Sequence, residues 1–233
     1  MTRIVWCLGL YASASTWAFN VLREMSATQS PVKTHFLSTS FTPPSLADQT
    51  TTHLIKSHEI DNQAALTWLT AHATHILVTL RDPRDAIASL MQYHNYDFAR
   101  ALDYVHKATT LCVRFAPDRR AKVFHYETAF FDHPKTLTAF NDFLAMKTPP
   151  ESLAQIFKNS RRETIETYIA SLPTKPGVLQ ERTTGDLLDP ETHWHTHHAG
   201  RTGTSGRWQT LLTPEQIQTA EQRLADVVTF KQQ

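Results

Sequence analysis

Residues 3–17, Arg-Ile-Val-Trp-Cys-Leu-Gly-Leu-Tyr-Ala-Ser-Ala-Ser-Thr-Trp, constrain the fold more than any other stretch. Arg3–Leu10 is apolar almost throughout and does not alternate, which is the pattern of a strand covered on both faces. Small residues follow, Ala12-Ser13-Ala14-Ser15. Ala18, Val21, Leu22 and Met25 then share one helical face. Strand, tight loop and helix in that order begin a parallel sheet. A second reading fits the same letters. Arg3, the apolar run to Tyr11 and Ala12-Ser13-Ala14 also have the form of a secretory signal with its cleavage site. The two readings send the chain to different compartments.

The rest of the chain repeats the alternation. Val32–Ser38 and Leu54–His58 read as strands, and Asn62–His72 as an amphipathic helix. His75–Leu80 is the clearest buried strand. It runs into Arg81-Asp82-Pro83-Arg84-Asp85, where Asp82 caps a helix that starts with Pro83. Phe98–Phe115, Pro134–Leu144 and Glu151–Ile169 read as helices, and Ala121–Tyr126 as a strand. Leu172–Gly200 is broken by Pro and Gly and reads as loop. Thr213 and Gln216 form a capping-box pattern opening a last helix, Pro214–Val228. The expected fold is a three-layer α/β domain over residues 1–233, a mostly parallel sheet flanked by helices. Its ligands bind at the carboxyl ends of the strands.

Composition narrows the function classes. With 41% hydrophobic and 19% charged residues the chain is globular. A formal net charge of +1 gives no global field for nucleic acid or membrane, and no apolar run approaches a membrane span. Cys7 and Cys112 make no disulfide framework and read as small core residues.

Gly9–Thr16 imitates the nucleotide-binding G-x-x-x-x-G-K-S/T loop, with Ala14 for the second Gly and Ser15 for the Lys. Without that Lys, hydrolysis of a nucleoside triphosphate is disfavoured. Small residues still let backbone N–H groups approach an anion, and a helix N-terminus adds about half a positive charge. A plain turn capped by Ser reads the stretch as well.

Tyr11-Ala12-Ser13-Ala14-Ser15-Thr16-Trp17 resembles the Pro-(Lys/Arg)-Ser-Gly-(Ser/Thr)-Thr-Trp loop of sulfotransferases that use 3′-phosphoadenosine 5′-phosphosulfate (PAPS). Four further stretches are similar to that family's motifs, in its order, over residues 4–213. They are Lys56-Ser57-His58, Arg81 to Ser89, His125-Tyr126-Glu127 and Arg201 to Trp208. The resemblance implies a P-loop-like sulfotransferase fold and a cytoplasmic enzyme. It implies that Ser13, Ala14, Ser15 and Thr16 bind the 5′-phosphosulfate and that Trp17 and Tyr126 contact adenine. Arg81 and Ser89 would hold the 3′-phosphate, with Arg201, Thr202 and Gly203 closing over it. His58 would be the general base. Under this reading the first strand and loop belong to the mature fold, and the signal-like look is accidental.

The residues suit that chemistry. A guanidinium makes two parallel charge-assisted bonds to a phosphate, which fits Arg81 and Arg201. Arg81 is also spaced to pair with Asp85 as a helix-capping ion pair. A neutral His suits proton removal near neutral pH. Residues two apart on a strand face the same side, so Lys56 and His58 face one cleft, where Lys56 can neutralise charge building on the transferring group. The scheme requires no metal. Its acceptor is a hydroxyl or an amine of a small molecule or glycan. Ala12 departs from the family, which places Lys or Arg there, and Thr202 removes a second cation. These losses leave a second reading, a nucleotide-binding protein of the same fold with little turnover.

His193-Trp194-His195-Thr196-His197-His198 raises a third, a secreted His-rich metal-binding protein, with Asp189 and Glu191 as the nearest carboxylates. The plainer expectation is a loop and no metal. The acceptor and the oligomeric state are not encoded in any motif.

Overall fold

The computed structural model describes residues 2–37, 41–181, 184–198 and 204–228. Its centre is a five-stranded parallel sheet in the order β2-β3-β1-β4-β5. The strands are β1 (Arg3–Gly9), β2 (Val32–Phe36), β3 (Thr52–Ser57), β4 (His75–Leu80) and β5 (Ala121–His125). β1 lies in the middle, paired with β3 (Cys7 opposite Lys56) and with β4 (Gly9 opposite Thr79). Strand order reverses direction at β1, which opens a crevice at the carboxyl ends of β1 and β4.

The unbroken apolar run of β1 is explained by the two layers it serves. Ile4, Trp6 and Leu8 join one core, and Val5 and Cys7 the other. The first core is closed by α2 (Gln63–His72), α3 (Pro83–Tyr93), α4 (Phe98–Phe115) and the C-terminal helix, through Leu69, Leu90, Val105 and Leu224. The second is closed by α1 (Ser15–Ala27), α5 (Lys135–Phe143) and α6 (Pro150–Asn159), through Phe19, Leu22, Phe140 and Ile156. Cys7 and Cys112 each lie in one of these cores, and burial pushes the Cys7 thiol up to about 12.

Helix starts follow the sequence signals. The Asp82 carboxylate accepts from Arg84 N at 2.9 Å with Pro83 in the first turn. The C-terminal helix, Pro214–Leu224, carries the full capping box of Thr213 and Gln216. It ends short of the expected Val228.

Two elements differ from expectation. Glu151–Ile169 is two helices, α6 and α7 (Arg162–Ser171), separated at Ser160 and Arg161. No Gly or Pro marks that break. The Ser160 carbonyl accepts from Trp17 Nε1 at 2.8 Å, so a tertiary contact sets it. Within the expected loop, β6 (Leu179–Gln180) and β7 (Leu187–Leu188) form a short antiparallel pair. A further helix, α8 (Trp208–Leu211), precedes the C-terminal helix, which is α9. Among the described residues no helix is long and apolar enough to cross a membrane.

Candidate active site

The loop between β1 and α1 is held by its own small side chains. The Ser13 hydroxyl donates to the Leu10 carbonyl at 2.5 Å and shares a bond of 2.8 Å with Thr79 on β4. Gly9 has no room for a side chain: a Cβ there would stand 2.3 Å from Ser15 Cβ and 2.7 Å from Thr79 Oγ1. α1 therefore begins directly against the end of the central strand. Ala12 (φ 55°) and Ala14 (φ 61°) lie in the left-handed region. That conformation costs an L-residue about 1–2 kcal/mol each. No side chain caps α1, and its first intrahelical bond is Ala18 N to Ala14 O at 3.1 Å. The N–H groups of Ser15, Thr16 and Trp17 thus have no partner within the helix. Amides so arranged can receive an anion, as a cradle would, with strain at the residues that aim them.

A cleft of about 710 Å³ opens over this cradle. Ser13, Ala14, Ser15, Thr16, Trp17, Lys56, His58, Arg81, Ser89 and Tyr126 all line it. The structure thus brings together ten of the residues singled out in the sequence. Arg201, Thr202 and Gly203 lie outside the described residues.

Arg81, at the end of β4, is almost enclosed, with 8% of its side chain exposed. It donates from Nη1 to the Ala12 carbonyl at 2.9 Å, and from Nη2 to Asp85 at 3.1 Å and the Thr204 carbonyl at 2.9 Å. Its guanidinium stands 4.1 Å above the Tyr126 ring. Arg81 Nε is buried with no hydrogen-bond partner among the described residues. Such an orphaned charged donor fits a bound phosphate. The ion pair with Asp85 expected from spacing is also present. Asp85 itself is saturated, because its carboxylate also accepts from Gly206 N at 2.8 Å and Trp208 N at 3.0 Å. It ties the C-terminal segment to the start of α3. Ser89, a turn beyond Asp85, lines the cleft.

Lys56 and His58 do face one cleft, with Lys56 Nζ 3.1 Å from His58 Nε2, although the strand ends at Ser57 rather than at the expected His58, which lies just past it. His58 Nδ1 lies 2.6 Å from the Gly9 carbonyl. A carbonyl only accepts, so Nδ1 carries the proton and Nε2 is the free base, engaged by the Lys56 ammonium. Burial and then the Lys56 cation hold the His58 imidazole well below the usual histidine range. Burial lowers Lys56 to about 8. Tyr11 stacks on His58 at 4.3 Å and donates its hydroxyl to Glu59.

Trp17 is 6% exposed and packs edge-on to Phe130 at 5.8 Å, so most of its ring is core. Tyr126 packs on Phe131 at 4.9 Å beneath Arg81.

Some lining residues escaped sequence reasoning. Tyr93, Tyr96 and Tyr104 build an aromatic wall beside Tyr11. They come from α3, the following loop and α4, and no local pattern links them. The carboxylates near the histidine cluster are also not those expected. Asp189 pairs with Lys175 and Tyr168, and Glu191 with Arg23. Asp186 is the one that meets His195 and His197.

No protein-family model matches the chain, and no curated protein does. Solved structures do. The mouse sulfotransferase SULT7A1 complexed with PAP superposes with a TM-score of 0.62 at 14% identity, covering 97% of this chain and 83% of that one. Retinol dehydratase with retinol and PAP gives a TM-score of 0.61 at 13% identity, covering 99% and 84%. Its complex with androsterone and PAP gives 0.57 at 14%, covering 97% and 81%. The parallel sheet, its flanking helices and the P-loop-like first turn are the sulfotransferase fold, over essentially the whole chain.

Proposed function

We propose that this protein transfers a sulfuryl group from PAPS to a hydroxyl, or an amine, of a small molecule. One observation carries the reading: an uncapped, left-handed anion cradle and a Lys56–His58 pair share a single cleft, with the orphaned Arg81 Nε at its edge. The donor supplies a sulfuryl group whose bond to the phosphate oxygen breaks as the acceptor oxygen bonds to sulfur. The chain's residues do the rest. Backbone N–H groups at Ala14–Trp17 hold the 5′ end, and Arg81 and Ser89 the 3′-phosphate. Trp17 and Tyr126 flank the adenine. His58 Nε2 takes the acceptor's proton.

The Lys56 ammonium lies against that nitrogen, where it can turn to the charge that develops on the leaving phosphate as the proton is taken. The tyrosine wall favours an apolar or aromatic alcohol as acceptor. The related structures that hold retinol or androsterone are consistent with this.

Ala12 supports the second reading, binding with little turnover. It offers no cation, and its carbonyl is spent on Arg81. A transfer assay with labelled donor and a panel of phenols and alcohols separates the two. Transfer that drops at least about a hundredfold in His58→Ala supports the enzyme. Donor binding with no transfer to any acceptor supports the second reading.

A further inference from the structure

Asp186 precedes His195 and His197 by 9 and 11 positions, and backbone register brings the three onto one face. Leu188 bridges His195 in antiparallel fashion, and Thr196 N donates to the Leu187 carbonyl at 3.1 Å. Continuing that register sets Asp186 opposite His197. Directly opposed residues share a face, and so do residues two apart on a strand. Asp186, His195 and His197 therefore project to the same side. The side-chain contacts agree: Asp186 Oδ2 is 2.7 Å from His195 Nδ1 and 2.8 Å from His197 Nδ1. Thr196 holds the other carboxylate oxygen. Both histidines line the cleft.

We propose that these three side chains form a zinc site at the edge of the cleft. Two imidazoles and a carboxylate are the donor set of many three-ligand zinc sites, which keep their fourth position for water or substrate. The ligand atoms lie within 4.8 Å of one another. Zinc holds such atoms at about 2.0–2.2 Å, so neighbouring ligands in a tetrahedral site sit about 3.3 Å apart. The two contacts of Asp186 with the imidazoles open by about half an ångström to admit the ion. Each imidazole then carries its proton on Nε2 and ligates through Nδ1. The ion crosslinks the two arms of the 184–198 hairpin beside the cleft. None of this depends on sulfuryl transfer.

The test is a titration of the chain, free of any affinity tag, with zinc chloride against a chromophoric chelator. One equivalent is expected to bind, and Asp186→Asn and His197→Ala should each weaken it at least about tenfold. His72→Ala, on α2 away from the cluster, should leave it unchanged. Absence of a bound equivalent, or equal affinity in Asp186→Asn, His197→Ala and the parent, overturns the site. If those variants do not fold, the cobalt-substituted parent decides. Visible bands of tetrahedral nitrogen and oxygen ligation support the site. A thiolate charge-transfer band, or the weak spectrum of an octahedral ion, overturns it. Because the readout is metal binding, its failure leaves the donor-site reading untouched, and the reverse also holds.

Discussion

In the proposed transfer, Lys56 is the residue on which the chemistry turns. It is 3% exposed, yet bears a charge at neutral pH beside the His58 imidazole. Burial lowers it from 10.5 to about 8, so its proton leaves within the working range of an enzyme. The transfer rate should therefore fall as pH rises above about 8, through loss of the cation that neutralises the leaving phosphate. In Lys56→Arg that basic limb should move beyond pH 10, because a guanidinium stays charged. A profile of kcat against pH for both proteins checks this, and an unmoved limb assigns it to another group. Residue by residue, much of this site was legible. Lys56-x-His58 at the end of one strand, and Arg81 at the end of the clearest buried strand, announce themselves through their spacing from apolar runs. What stayed hidden is the traffic between them. The claim of Arg81 on the Ala12 carbonyl and of Asp85 on Gly206 N spans 69 and 121 positions, and no local pattern reports such a pair.

At the scale of elements, the β1–loop–α1 unit stores strain in order to present its amides. Two alanines sit where glycine is at ease, while Gly9 is where it is by necessity of space. The two positions should respond oppositely. Gly9→Ala forces β1 and α1 apart and should cost about 1–3 kcal/mol. Ala14→Gly relieves the left-handed backbone and should return up to about 1 kcal/mol. Urea unfolding of both variants measures the signs. A neutral Gly9→Ala would mean that the close packing of α1 on the strand end is wrong. The strands and their following helices were readable because buried parallel strands are continuous apolar runs that end in caps. The break between α6 and α7 was not, since its cause is the indole of Trp17, 143 positions away. β6 and β7, two residues each, are too short for any periodicity to show.

Across the whole molecule, histidine makes stability a function of mild acid. Burial lowers His35, His53, His58 and His75 below the ordinary 6.5. His35 and His53 also face each other at 3.1 Å, which disfavours charging both. The unfolded chain binds protons at these groups more readily than the folded one. Their contribution is therefore fully present above about pH 6.5 and lost as pH falls below it. Carboxylates such as Asp118, held at about 2 by Arg120, give way only below their ordinary 3.8. A lower urea midpoint at pH 5.0 than at pH 7.5, at fixed ionic strength, is the expected outcome. An unchanged midpoint would place these imidazoles in water. The strand order β2-β3-β1-β4-β5, which puts the cradle and Lys56 side by side, is a property of the assembled sheet and has no signature in any one segment.

In the proposed function, the cradle at Ala14–Trp17 and the Arg81 guanidinium together grip an adenosine phosphorylated at both ends. Thermal unfolding with 3′-phosphoadenosine 5′-phosphate, with ATP and with buffer alone tests it directly. At one hundred times its dissociation constant the bisphosphate should add about 2.7 kcal/mol, roughly 5–10 °C for a chain of this size. ATP, which lacks the 3′-phosphate, should add little. No shift with the bisphosphate, or an equal shift with ATP, would contradict the account.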